Sequence, residues 1–297
     1  MRMSHLRPLP PRPLWLAGML AIGVLIAVSG GCARRTRPPR PAPSAEDYIE
    51  SGNAQYRKGE LHGAIAAFGH AIEIDPNSAD AYNNRGLARW QAQDLDGALS
   101  DFDAAVRINP RLALALLNRG IARLDQPDPD GAIADFDAAL KIEPRLARAF
   151  LNRGIAYDVQ GDRKRAEADF DKAIELAPQM AAAYQSRGEV RHARNDFAGA
   201  IADYTEAIRI DPKYAEAYRG RGLALLKSGK ESNAEKDFDE FRKLKPDQKG
   251  DLDRAIKDVK KQESGIRHQG VAIPSTVKSR RILYQLRFLP NCRQCFA

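Results

Sequence analysis

The chain has 297 residues, 29% of them charged, and a formal net charge of +8, which is enough length for one or two domains with sizeable buried cores. The positive charge sits at the ends: residues 1–44 hold seven Arg and no acid, residues 264–297 hold six Lys or Arg and no acid, and the body between them has 34 basic against 39 acidic residues. A body that is mildly acidic argues against nucleic acid as the partner, because phosphate recognition needs a basic face on the folded part. The three cysteines, Cys32, Cys292 and Cys295, all lie outside the body, so its fold does not depend on a disulfide.

At the amino terminus, Arg2, Arg7 and Arg12 precede the uncharged run LWLAGMLAIGVLIAVSGGC, the layout of a secretory signal or a membrane anchor over residues 1–32. Ser29, Gly30 and Gly31 before Cys32 resemble a bacterial lipoprotein signal, although that family prefers leucine at the place of Ser29. The resemblance implies removal of the signal and lipidation of Cys32. Arg34, Arg35, Arg37 and Arg40 offset the charges before the run and leave its orientation open. A lipoprotein, an uncleaved anchor and a cleaved secretory signal therefore all stand, and each places the body at or beyond a membrane of the bacterial cell envelope. Residues 33–44 read as an extended Pro/Arg-rich linker.

From Ala45 the sequence repeats every 34 residues, with units starting at Ala45, Ala79, Ala113, Ala147, Ala181 and Ala215. Glycine falls at the eighth place (Gly52, Gly86, Gly120, Gly154, Gly188, Gly222) and alanine at the twentieth (Ala64, Ala98, Ala132, Ala166, Ala200, Ala234). An aromatic follows four later (Phe68, Phe102, Phe136, Phe170, Tyr204, Phe238), and a proline closes each unit. Apolar spacing of three and four predicts two amphipathic helices per unit, at 79–92 and 96–108 in the second. The small residues let the two backbones approach where they cross, and the proline stops the second helix. One such pair cannot bury its apolar face alone, so the units stack into an all-α solenoid. In the third unit Pro127 and Pro129 predict a tight turn with Asp128 or Asp130 as helix cap. Residues 249–263 read as a capping helix and residues 264–297 as a basic, flexible tail with a lone CxxC.

Arg85, Arg119, Arg153, Arg187 and Arg221 each precede an aspartate by sixteen residues (Asp101, Asp135, Asp169, Asp203, Asp237), and in the first unit both places change together, to Ser51 and Ala67. Joint presence and joint absence predict a ladder of Arg–Asp bridges rather than a row of arginines kept for an anionic ligand.

These recurring places over residues 45–248 resemble the tetratricopeptide repeat (TPR) family. The resemblance implies a right-handed solenoid whose first helices line a concave, partner-binding groove. Carried onto this chain, the groove comprises Asn53 and Tyr56, then Asn83, Leu87 and Trp90, then Leu114, Leu117, Ile121 and Leu124, then Leu151, Ile155 and Val159, and finally Gln185, Glu189 and His192. Leu117, Leu151 and Trp90 are expected to be exposed, and an exposed apolar patch marks a protein interface. Asn53 and Asn84 match the asparagines of a subfamily that clamps carboxylate-ended chaperone tails, but Ile49, Leu114 and Asn118 stand where its cations would be, which disfavours that ligand.

The five histidines are isolated, and KSGKES lacks the Ser or Thr of a phosphate loop. The sequence thus predicts no catalytic residues, no cofactor and no metal. It predicts a scaffold that binds a protein or peptide in its groove at the cell envelope, tethered through its amino-terminal segment, and aids assembly of a membrane complex. The alternative is a regulatory or adaptor subunit for a separate envelope enzyme.

Overall fold

The computed structural model describes residues 42–268, with side chains through Gln262. Six helix pairs occupy the six intervals: α1 (Ala45–Lys58) with α2 (Leu61–Ile74), α3 (Ala79–Gln91) with α4 (Leu95–Ile108), α5 (Ala113–Asp125) with α6 (Pro129–Ile142), α7 (Ala147–Gln160) with α8 (Arg163–Leu176), α9 (Ala181–Ala193) with α10 (Phe197–Ile210), and α11 (Ala215–Lys227) with α12 (Glu231–Leu244). A 3-10 turn, Pro246–Gln248, leads into α13 (Lys249–His268). Among the described residues there is no strand. The sequence expectation is off by one residue at two helix ends in the second unit. It stops α13 five residues early, because no proline interrupts the helix there and a single glycine, Gly265, costs a helix only about 1 kcal/mol relative to alanine. The amino-terminal signal or anchor, Cys32, residues 33–41, and the tail from 269 with its CxxC lie outside the described residues.

Inside each pair the aromatic ring lies directly on the eighth-place glycine. A Cβ added at Gly120 would stand 2.5 Å from the ring of Phe136, and one at Gly154 would stand 2.6 Å from Phe170, so no larger residue fits without displacing the ring. Tyr204 is the one non-Phe ring at this place, and it also presses on Gly220 of the next unit, where a Cβ would stand 2.5 Å away. Three units have asparagine at that place, so a second glycine accompanies the different ring. Helix ends follow the same period. Asn109, ahead of Pro110, is pushed to φ −129° and ψ 91°, ending α4, and Asp128 caps α6 by accepting from the Gly131 amide at 2.9 Å. The packing of α13 is amphipathic: Leu252 is buried against the last unit, with Ile256 and Val259 beside it.

The Arg–Asp ladder is present in all five units where both residues occur. In each, arginine Nε and Nη2 donate to the two carboxylate oxygens of its own unit's aspartate, as in Arg85–Asp101 at 2.9 and 2.7 Å and Arg119–Asp135 at 3.0 and 2.6 Å. The remaining Nη1 reaches back to the preceding unit. Arg119 donates to Asp103, Arg153 to Asp137, Arg187 to Asp171 and Arg221 to the Thr205 hydroxyl. A second arginine, one turn on, joins three of the aspartates: Arg89 to Asp101, Arg123 to Asp135 and Arg191 to Asp203. The arginines are thus spent on carboxylates of the chain itself.

Candidate functional site

Successive odd-numbered helices touch one another along the whole array, from α1 and α3 through to α11 and α13, whereas no two even-numbered helices approach to the same extent. The odd helices therefore form the inner wall of the stack, and side chains that cross from one odd helix to the next face that wall.

The most regular feature of the wall is a line of side-chain amides over the first three units. Asn118 Nδ2 donates to Asn83 Oδ1 at 2.9 Å, Asn83 Nδ2 donates to Asn84 Oδ1 at 3.1 Å, and Asn84 Nδ2 donates to Asn53 Oδ1 at 3.2 Å. The relay breaks at the fourth unit. Asn152 Nδ2 turns to the Arg148 carbonyl at 2.7 Å, and its Oδ1 is buried with no hydrogen-bond partner, in a residue only 4% exposed. An orphaned buried acceptor is costly, so the end of the relay at this unit carries a penalty. Further along, Gln185 is buried and its Nε2 donates to Glu189 at 2.7 Å.

The apolar part divides differently from the sequence expectation. Leu117 is fully buried, packed with Ile121, Phe136 and Leu140, because α3 and α7 close over α5 from both sides; its expected exposure is therefore corrected. Leu87 and Ile155 are buried too. Trp90, Leu124 and Leu151 are half-buried, and Val159 and Leu114 are the exposed pair, at 37% and 39%. Trp90 is fixed by its indole N–H, which donates to Asp125 at 2.7 Å across the junction between the second and third units. Partial burial raises the Asp125 pKa, an effect the indole bond opposes. His192 is half-buried, edge-on to Phe197 at 5.4 Å, and burial together with the charge of Lys227 lowers its pKa to about 4, so it is neutral near pH 7.

Asp125 and the orphaned Asn152 were missed by sequence reasoning. Asp125 shares its repeat place with Gln91 and Val159, so no periodic signal marks it. A cleft of about 750 Å³ beside the ladder, lined by Arg85, Arg89, Asp101, Asp103 and Arg123, is not a comparable site, because its arginines already hold carboxylates. Among the described residues no cluster of His, Cys, Asp and Glu could hold a metal ion, and no helix is long and apolar enough to cross a membrane.

Sequence profiles described as tetratricopeptide or TPR repeat match residues 52–93, 79–112, 117–181 and 188–229. No curated protein sequence matches the chain significantly. Among solved structures, the chain is similar to PilW, described as a widely conserved type IV pilus biogenesis factor, with a TM-score of 0.63, 21% identity, and coverage of 68% of this chain and 94% of that one. It is also similar to PilF of Pseudomonas aeruginosa (TM-score 0.61, 19% identity, 68% and 92% covered). A third neighbour is a tetratricopeptide repeat protein from Parabacteroides merdae (TM-score 0.60, 23% identity, 76% and 87% covered). At these identities the likeness is one of fold.

Proposed function

We propose, on the premise that the chain belongs to the tetratricopeptide repeat family and so has the fold of a protein-interaction scaffold, that it holds a peptide segment of its partner against the inner wall of α3, α5 and α7. The observation that carries this reading is the combination on one wall of partly open apolar side chains, Trp90, Leu124, Leu151 and Val159, with the partly open amides of Asn53 and Asn84. Such a surface gives an extended or helical segment both anchors and orientation. It contains no nucleophile–base pair, and the role we assign is binding without catalysis.

We further place this scaffold at the bacterial cell envelope, tethered through residues 1–32, where it aids assembly of a membrane complex. The support is the apolar leader ending at Cys32 and, for the assembly role, the kind of protein PilW is described as being.

Affinity capture from envelope extracts with the full chain, its Leu151→Glu and Val159→Glu variants run alongside, tests the groove. Loss of the captured partner with unchanged helicity is the expected result, and equal capture by the variants overturns the reading. Capture of an enzyme in place of a structural membrane protein would assign the adaptor role instead. Mass spectrometry of the mature amino terminus tests the tether: a lipid on Cys32 or a retained leader supports it, and a cleaved, unmodified terminus removes it.

A further inference from the structure

We infer that the inner wall of the first four units takes a cationic segment of a partner protein, carrying aliphatic or aromatic anchors and basic side chains, the electrostatic reverse of a carboxylate-ended ligand. This rests on the inner-wall reading and adds the chemistry of what binds there.

The charge on the wall has one dominant sign. On α1, Glu46 and Glu50 share a face with Asn53 by helical spacing, and on α3, Asp80 shares a face with Asn83 and Leu87. On α5, Asp125 is held on the wall by its bond from Trp90, while on α7 the charge of Asp158 is offset by Arg163, 3.9 Å away. The basic residues at the matching places of these four helices are Arg57 and Arg148. The ladder arginines do not change this balance, since each is already bonded to an aspartate of its own unit. One further observation points to a donor-rich ligand. Asp125 is exposed on the wall with a neutral indole as its hydrogen-bond donor, and a guanidinium arriving beside it would supply the opposite charge that the indole does not.

The apolar part sets the size of the ligand. Leu114 on α5 and Val159 on α7 are exposed, and Trp90 on α3 is partly so, so the anchors span three adjacent helices. At about 8–10 Å between neighbouring axes, that is roughly 20 Å, which suits several turns of helix or an extended peptide better than a free polyamine. Carboxylates around an apolar centre would then draw a basic segment in and fix its direction, as charge complementarity does at other interfaces.

The test uses the full chain and, beside it, residues 42–268, which hold the six helix pairs and α13 and are checked for folding by circular dichroism and a cooperative melt. Fluorescence anisotropy would follow a synthetic helical peptide of leucine and arginine and, in parallel, the same peptide with glutamate for every arginine. The cationic peptide should bind at least about tenfold more tightly than the acidic one and lose affinity as salt rises. The double variant Asp80→Asn with Asp125→Asn, which keeps an acceptor for the Trp90 indole, should weaken it by about fivefold or more and flatten the salt dependence. Equal or tighter binding of the acidic peptide overturns the charge inference; if Val159→Glu still abolishes that binding, the groove itself stands. Binding of neither peptide overturns the inference as well, and the capture experiment above then decides separately whether the groove reading falls with it. The chain's own residues 278–289, KSRRILYQLRFL, share the proposed chemistry. If residues 42–297 bind the cationic peptide about tenfold less well than residues 42–268, the wall is occupied from within the chain, and its assignment to a partner is overturned.

Discussion

The first and third units are built on the same contact, yet only the third has the ladder. A Cβ at Gly52 would stand 2.6 Å from Phe68 and one at Gly120 would stand 2.5 Å from Phe136, so each pair closes on its glycine alike. At the outer face of α1, however, Asp47 and Ser51 occupy the places of Ala115 and Arg119. Among the described residues that face meets no preceding helix pair, and a polar outer surface is what the end of a repeat array needs. A pair therefore forms without Arg–Asp bonding, and the ladder belongs to the junctions: Arg119 clasps Asp135 within its own unit while reaching back to Asp103 in the one before.

The largest effects should come from the rings, and they should differ between the two units. Phe136→Ala leaves a cavity in the middle of the array and is expected to cost about 3–5 kcal/mol in denaturant unfolding. Phe68→Ala removes the same side chain at the end of the array, where one unit can fray without its neighbours. Amide exchange should then report loss of protection over α1 and α2 with the midpoint for the remaining units little moved. Equal global destabilisation by the two variants would show the array to be a single cooperative block and erase the distinction between end and interior.

Next in size is the ladder. Asp135→Ala strands Arg119 and Arg123, which both donate to it, and a buried pair broken on one side can cost about 3–5 kcal/mol; these arginines keep some water contact, so about 2–3 kcal/mol is expected. Replacing both partners, Arg119→Met with Asp135→Leu, should do less harm, because Asp103 is exposed and Arg123 retains the Gly131 carbonyl at 3.1 Å. Thermal melts in which the double variant is as damaged as Asp135→Ala would refute the junction argument.

The ladder and the helix pairs were legible because a residue and its partner recur at fixed places, and a joint change at Ser51 and Ala67 exposes the coupling. The wall was legible only as a set of columns. Leu117 and Leu151 share a column, yet the first is sealed and the second half-open, because closure depends on the size of side chains on both adjacent helices. The amide relay likewise depends on distances between neighbouring odd helices, and Asp125 has no periodic counterpart to flag it.

Acid should weaken the interior through His192. Its pKa is lowered to about 4 in the folded chain by burial and by Lys227, against about 6.5 for an unperturbed histidine. Below about pH 6.5 the unfolded chain binds a proton there that the folded chain refuses, so stability falls as pH drops through that window until the folded group also titrates near 4. Phe197 packs against the ring, and Lys227 is the charged group that acts on it. His192→Gln should flatten the fall in denaturation midpoint between pH 6.5 and 4, and an unchanged slope would place the acid sensitivity elsewhere.

The smallest effect makes the sharpest test, because it adds to the first junction what the others already have. Arg85 gives Nε and Nη2 to Asp101, and its Nη1 lies 3.9 Å from where a Cβ on Gly69 would stand. Gly69 occupies the place of Asp103, Asp137 and Asp171, which accept that same nitrogen from Arg119, Arg153 and Arg187. Gly69→Asp should therefore supply the missing link, with a gain of about 0.5–1 kcal/mol. Part of that gain comes from replacing glycine inside a helix, so Gly69→Ala is the reference, and only the excess of Asp over Ala measures the new bond. That excess should vanish in an Arg85→Met background and shrink at high salt. If it survives removal of Arg85, the aspartates at this place act through their own helices and the junction between the first two units is already complete without them.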